Sequence, residues 1–97
     1  MTKTLQISKD AEFEILDAYL WYESKSKGLG KRFKAELNSH FQQIKKTPDL
    51  YPIVKTAMQL LIRKYVLKVF PFIVFYFYSE TSINIVAIFH SSRKPKY

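Results

Sequence analysis

The residues that could do chemistry gather in the second half of the chain. His90 closes an apolar stretch, INIVAIFH, and Arg93, Lys94 and Tyr97 follow within seven positions. Upstream, Arg63, Lys64 and Lys68 interrupt the otherwise apolar QLLIRKYVLKVF. A histidine with an ordinary pKa of ~6.5 can take and give a proton near neutrality. Guanidinium and ammonium groups hold phosphates and carboxylates. Each group has a plainer reading as well. His90 could be a half-buried histidine whose hydrogen bonds hold the C-terminal segment in place, and that reading is preferred. The cations could contact phosphate or an acidic peptide, or the lysines could simply keep an edge strand from pairing with other chains. For Arg63 the contact reading is favoured, because an arginine inside an apolar strand must find a partner. The carboxylates crowd into the first helix and form no catalytic pair. Two histidines and no cysteine leave no ligand set for structural zinc. Neither a metal nor a cofactor is expected.

Charge narrows the class of partner. The net charge is +8, unevenly spread: −3 up to Glu23, +5 from Ser24 to Leu50 and +6 from Tyr51 onward. Such a balance favours an anionic partner, nucleic acid or an acidic protein segment, against the alternative of a merely solubilising charge. At 97 residues and 47% hydrophobic, the chain is expected to form one domain over 1–97 with a real core, not a disordered segment. The first residues, MTKTLQISKDAEFE, lack an apolar signal core, and no apolar run reaches the ~20 residues of a membrane span. A cytoplasmic location is the expectation.

These groups must be held by a small set of elements. TLQI suits a short strand. SKDAEFEILDAYLWYESKSKG suits a helix capped by Ser8, with Asp10 and Glu12 in its positive first turn. Phe13, Leu16 and Leu20 form its apolar stripe, widened by Ile15, Tyr19 and Tyr22, and Trp21 and Tyr22 are expected to pack under the sheet. After the break at SKSKGLG, KRFKAELNSHFQQIKK repeats apolar residues at Phe33, Leu37, Phe41 and Ile44. His40 is then placed at the core boundary, and Lys31, Arg32 and Lys34 on a solvated face. The short link makes the two helices an antiparallel hairpin. QLLIRKYVLKVF reads as one strand. At period two, Arg63 shares a face with Leu61, Tyr65, Leu67 and Val69. Lys64 and Lys68 share the other with Ile62, Val66 and Phe70. FPFIVFYFY is apolar on both faces, as a central strand should be, with Pro71 at its start. SETS is a hairpin turn, and INIVAIFH is the last strand, carrying His90 to the sheet edge. The order is β-α-α-β-β-β: an α+β fold with a helix hairpin on one face of a mostly antiparallel sheet and the other face partly open.

Several short motifs then line up. WYE at Trp21 to Glu23, GLGKRF from Gly28, TPDLYP from Thr47, Ile62–Arg63, FPF leading into IVFYFY, and VAIFHSSRKP from Val86 follow one another along nearly the whole chain. In that order they resemble the RelE/ParE superfamily of toxins from bacterial type II toxin–antitoxin (plasmid stabilisation) systems, and the pattern is nearer the ParE-like branch. The resemblance implies a small basic toxin that inhibits growth. A cognate antitoxin, encoded by an adjacent gene, would neutralise it in a hetero-oligomer. ParE-like members block DNA gyrase without chemistry. RelE-like members cut mRNA on the ribosome, and a neutralised member would keep only the antitoxin contact. Metal-independent RNA cleavage requires a base for the 2′-OH, cations for the pentacoordinate phosphate and an acid for the leaving oxygen. Under that alternative His90, Arg93 and Arg63 would be the catalytic set. Under the binding reading, target and antitoxin contacts fall to Arg63, Lys64, Lys68, His90, Arg93, Lys94 and Tyr97.

Overall fold

The computed structural model of the protein describes residues 3–91. The elements are β1 (Thr4–Ile7), α1 (Lys9–Lys25), α2 (Leu29–Lys46), β2 (Ile53–Ala57), β3 (Leu60–Val66), β4 (Phe72–Tyr78) and β5 (Ser82–His90). They form one five-stranded sheet in the order β1-β5-β4-β3-β2, with β1 parallel to β5 and every other pair antiparallel. The helix hairpin covers one face. β4 lies in the middle, as its two-sided apolar sequence requires.

The expected order is short by one strand. Ile53–Ala57 pairs with the strand that follows it, and the hairpin turns at Met58 and Gln59 with φ of 51° and 67°. Two-residue hairpins need such left-handed backbone, which Asn and Gly usually supply. Here neither is present, so the turn carries no residue signature.

Ser8 caps α1 as read: its side-chain oxygen accepts the Ala11 N–H at 3.1 Å. The buried face of α1 departs from expectation. Ala11, Ala18 and Tyr22 are buried with Ile15 partly so, whereas Phe13, Leu16 and Leu20 are 70%, 53% and 56% exposed. Both sets have helical spacing, on opposite sides of the helix at ~100° per residue, so periodicity alone does not choose between them. The alanines let the helix axis approach β5 closely. Trp21 is likewise exposed rather than packed under the sheet, while Tyr22 is in the core.

α2 buries Phe33, Leu37, Phe41 and Ile44, together with His40. Its link to α1 depends on two glycines. Gly28 sits at φ 88°, in the left-handed region that favours glycine. Gly30 lies so close to α1 that a β-carbon there would stand 2.6 Å from the Tyr19 carbonyl oxygen. Gly28 offers no side-chain cap, and Glu23 of α1 serves instead: its Oε1 accepts the N–H of Gly30 at 2.9 Å and of Lys31 at 3.4 Å. Hydrogen bonding from the Gly28 backbone first, then Gly30 and Lys31, holds the Glu23 carboxyl below its usual range. The motifs WYE and GLGKRF are therefore two halves of one helix junction.

The core centres on the rings of Tyr22, Phe33, Phe70 and Phe72, with Tyr22 and Phe70 centroids 5.0 Å apart and Phe33 and Phe72 5.2 Å apart. On β4, Phe72, Val74 and Tyr76 face the helices, and Ile73, Phe75 and Phe77 lie half-buried on the opposite face. The alternation read through Arg63, Tyr65 and Leu67 holds, but it ends there. β3 stops at Val66, the chain bends, and Phe70 becomes buried while Val69 is exposed.

Candidate functional site

The loop between α2 and β2 is fastened to the sheet at three points. Tyr76 donates its hydroxyl to the Pro48 carbonyl at 2.6 Å. Arg63 Nη1 donates to the carbonyls of Tyr51, at 2.7 Å, and Asp49, at 3.1 Å. The guanidinium also lies 5.5 Å from the centroid of the Tyr78 ring. Burial pushes the Tyr76 phenol well above its usual pKa, although the Arg63 charge pulls the other way, so it stays a hydrogen-bond donor. The arginine inside the apolar strand thus finds its partners within its own chain. The motifs TPDLYP, Ile62–Arg63 and IVFYFY meet at this fastening.

Beside the loop, a cleft of about 250 Å³ is lined by Gln43, Tyr51, Pro52, Lys64, Tyr65, Val66 and Lys68. It exists because β2 is short. β2 pairs with β3 only as far as Arg63, and the Pro52 carbonyl takes the Lys64 N–H at 3.1 Å. Beyond that point the edge of β3 opens at Val66. Lys64 and Lys68 supply positive charge at the cleft, and Tyr51 stacks edge-on against Tyr65 at 4.7 Å. Behind Tyr65 lies buried His40. The Tyr65 hydroxyl bonds to His40 Nδ1 and to Gln43 Oε1, and His40 Nε2 is 3.7 Å from the Glu36 carboxylate. Burial lowers the His40 pKa; Glu36 opposes this and Lys68 adds to it. Burial raises that of Tyr65, with a further push from Tyr51. At neutral pH the cleft therefore presents a neutral phenol and two ammonium groups. Ammonium groups beside a phenol suit an anionic group.

The face of the sheet away from the helices continues from this cleft. Ile62, Val66, Ile73, Phe75, Phe77 and Phe89 occupy it with Lys64 among them, and Phe75 and Phe89 pack ring to ring at 5.6 Å. No helix among the described residues covers it.

His90 lies elsewhere. It pairs with Phe72 at the end of β5, on the face toward the helices, with ring centroids 5.2 Å apart. Four residues along β4 and two strand spacings separate it from Arg63, about 16 Å at ~3.3 Å per residue and ~4.8 Å per strand. The Arg63 guanidinium points away from it, toward Asp49, Tyr51 and Tyr78. The structure thus brings Lys64 and Lys68 together but not Arg63 with His90. Arg93, Lys94 and Tyr97 lie outside the described residues. Gln43, Tyr51 and Tyr65 were missed as site residues, since they come from three separate elements and share no spacing. Among the described residues no cluster of histidines and carboxylates could hold a metal ion, and no helix is long and apolar enough to cross a membrane.

Comparison with known proteins follows the same lines. Residues 5–95 match the family described as ParE toxin of type II toxin-antitoxin system, parDE. No curated protein matches the chain. Among solved structures, a chain of a chromosomal ParDE TA system from P. aeruginosa superposes with a TM-score of 0.73, over 92% of this chain and 96% of that one. The two share 12% sequence identity, so the likeness is one of fold.

Proposed function

The chain belongs to the ParE toxin family of type II toxin–antitoxin systems, and from that premise we propose that it arrests growth by binding DNA gyrase and is neutralised by a cognate antitoxin encoded in an adjacent gene. The observation that carries the binding reading is the β3 edge cleft. Its two lysines open onto an apolar sheet face, which suits a partner segment that is acidic and apolar by turns and orders as it binds. Arg63 acts by fixing the loop that forms one wall of the cleft. A cytoplasmic site of action goes with this target. The RelE-like alternative, ribosome-dependent mRNA cleavage by His90, Arg93 and Arg63, asks His90 and Arg63 to converge, and these two stand about 16 Å apart at ~3.3 Å per residue and ~4.8 Å per strand.

The test is induced expression with separate readouts of DNA topology and translation, with and without the neighbouring small reading frame. Gyrase poisoning predicts loss of supercoiling activity with mRNA intact. Purified protein that leaves gyrase untouched at concentrations that stop growth would sink the gyrase reading. mRNA cut in the ribosomal A site would replace it with the nuclease, and expression at no cost to growth would leave a member with only an antitoxin contact. Failure to co-purify with the neighbouring product would count against the antitoxin pairing.

A further inference from the structure

Four large apolar side chains of α1 stay in water. Phe13 is 70% exposed, Leu20 56%, Leu16 53% and Trp21 51%. The first three follow the spacing i, i+3, i+7 and form a line along the helix, with Trp21 at its margin. Together they leave on the order of a few hundred Å² of apolar surface, the size that marks an interaction site on a monomer. At ~100° per residue, Asp10 and Asp17 fall along one border of this line and Glu12 along the other. All three are exposed. Among the described residues the one ion pair joins Glu36 to His40, so no cation is set against these carboxylates. Glu23 is different, because the N–H groups of Gly30 and Lys31 hold it. Of the nearby cations, Lys25 stands over the Trp21 ring at 5.0 Å and Lys34 of α2 over the Tyr19 ring at 5.4 Å. Lys9 closes the N-terminal end of the line.

Charge selects what covers the line. α1 carries five carboxylates against Lys9 and Lys25, a net −3, so the other residues of this +8 chain carry +11. A second copy would bring the same excess of acids to the same place. An acidic segment of the kind that suits Lys64 and Lys68 is likewise repelled here. A basic segment is repelled by the remainder of the molecule and attracted to α1. A helix offers no free backbone edge for pairing, so the partner must satisfy its own backbone hydrogen bonds, as a second helix does. We propose that the outer side of α1 docks a basic amphipathic helix of another protein. Apolar residues of that helix seat on Phe13, Leu16 and Leu20, and its lysines or arginines reach Asp10 and Asp17. The surface is small against the ~1,200 Å² lower bound of standard interfaces, so the contact is weak and salt-sensitive. It is separate from the β3 cleft, and the inference does not rest on the gyrase reading.

Two synthetic amphipathic helices test this with the full chain: a leucine–lysine peptide and its leucine–glutamate counterpart, neither containing tryptophan. Trp21 is the only tryptophan of the chain, so its emission reports binding at this surface. The leucine–lysine peptide should shift that emission to the blue and bind about tenfold more tightly than its counterpart, as two or three exposed ion pairs allow. The gap should shrink as salt rises. Leu16→Ser with Leu20→Ser should abolish binding while circular dichroism is kept, and Phe13→Ser provides a second, single variant. Asp10→Lys with Asp17→Lys should turn the preference toward the leucine–glutamate peptide, and Asp17→Lys alone should narrow it. Lys64→Ala with Lys68→Ala should leave it as it is. Equal binding of both peptides, binding that survives the serine variants or the charge reversal, or no binding up to ~1 mM overturns the proposal. So does a rise in mass of the chain alone that the serine variants abolish, which would give the surface to a second copy.

Discussion

Replacing Gly30 with alanine adds one methyl group where the helix hairpin has no room for it. The new β-carbon would meet the Tyr19 carbonyl oxygen at 2.6 Å, Glu23 Cγ at 2.7 Å and Tyr19 Cδ2 at 2.9 Å. Glu23 Cγ could swing aside, but Glu23 would then release the N–H groups of Gly30 and Lys31. The carbonyl belongs to the backbone of α1 and moves only if the helices part. Ordinary contact near ~3.4 Å therefore requires a displacement of most of an ångström along the whole hairpin. Overpacking of this kind costs about 1–3 kcal/mol. Alanine's helix propensity offsets at most ~1 kcal/mol of it, and less in a first turn. The net expectation is a loss of roughly 1–2 kcal/mol, a fall in Tm of about 4–16 °C for a domain of this size. Thermal and urea unfolding followed by circular dichroism would measure it. A Gly30→Ala protein as stable as the parent, or more so, would refute the reasoning, because it would mean the hairpin spacing is not fixed by that contact.

Tyr76→Phe removes the donor to the Pro48 carbonyl and leaves that buried group unpaired; the urea midpoint should fall by the equivalent of about 1–3 kcal/mol. His40 should make stability depend on pH. Its folded pKa lies below the unfolded 6.5, so the unfolded chain binds more protons as pH falls. Its contribution is intact above 6.5 and is lost progressively below it, until the folded pKa is passed. Urea titrations at about pH 7.5 and about pH 5.5 should show that loss, and His40→Gln should flatten it. Lys64→Ala with Lys68→Ala should weaken capture of an acidic partner about tenfold, ~1.4 kcal/mol, in pull-downs at low salt, with the difference shrinking as salt rises.

Much of the architecture was legible in the residues. Ser8 followed by acids announced the start of α1, and Phe33, Leu37, Phe41 and Ile44 announced the buried side of α2. The two-sided apolarity of IVFYFY placed β4 at the centre. The misses have specific causes. β2 hid behind a turn made of Met58 and Gln59, residues with no turn preference. α1 carries two apolar stripes of equal period, and only the sheet decides which is buried: small alanines allow close approach, and the larger set stays in water. The partner that Arg63 needs turned out to be the carbonyls of Asp49 and Tyr51, distant in sequence and invisible to period-two reasoning.

By itself, the sequence determined the class of fold, the basic surface and the motif order that marks the family. All of these depend on local periodicity and on residue types summed along the chain. Tertiary structure alone decided the cleft. It needs β2 to stop short, His40 and Gln43 of α2 to back Tyr65 of β3, and the loop at Tyr51 to be tied to Arg63. Those contacts join residues up to 25 positions apart, and their geometry comes from how helices and sheet close on the aromatic core.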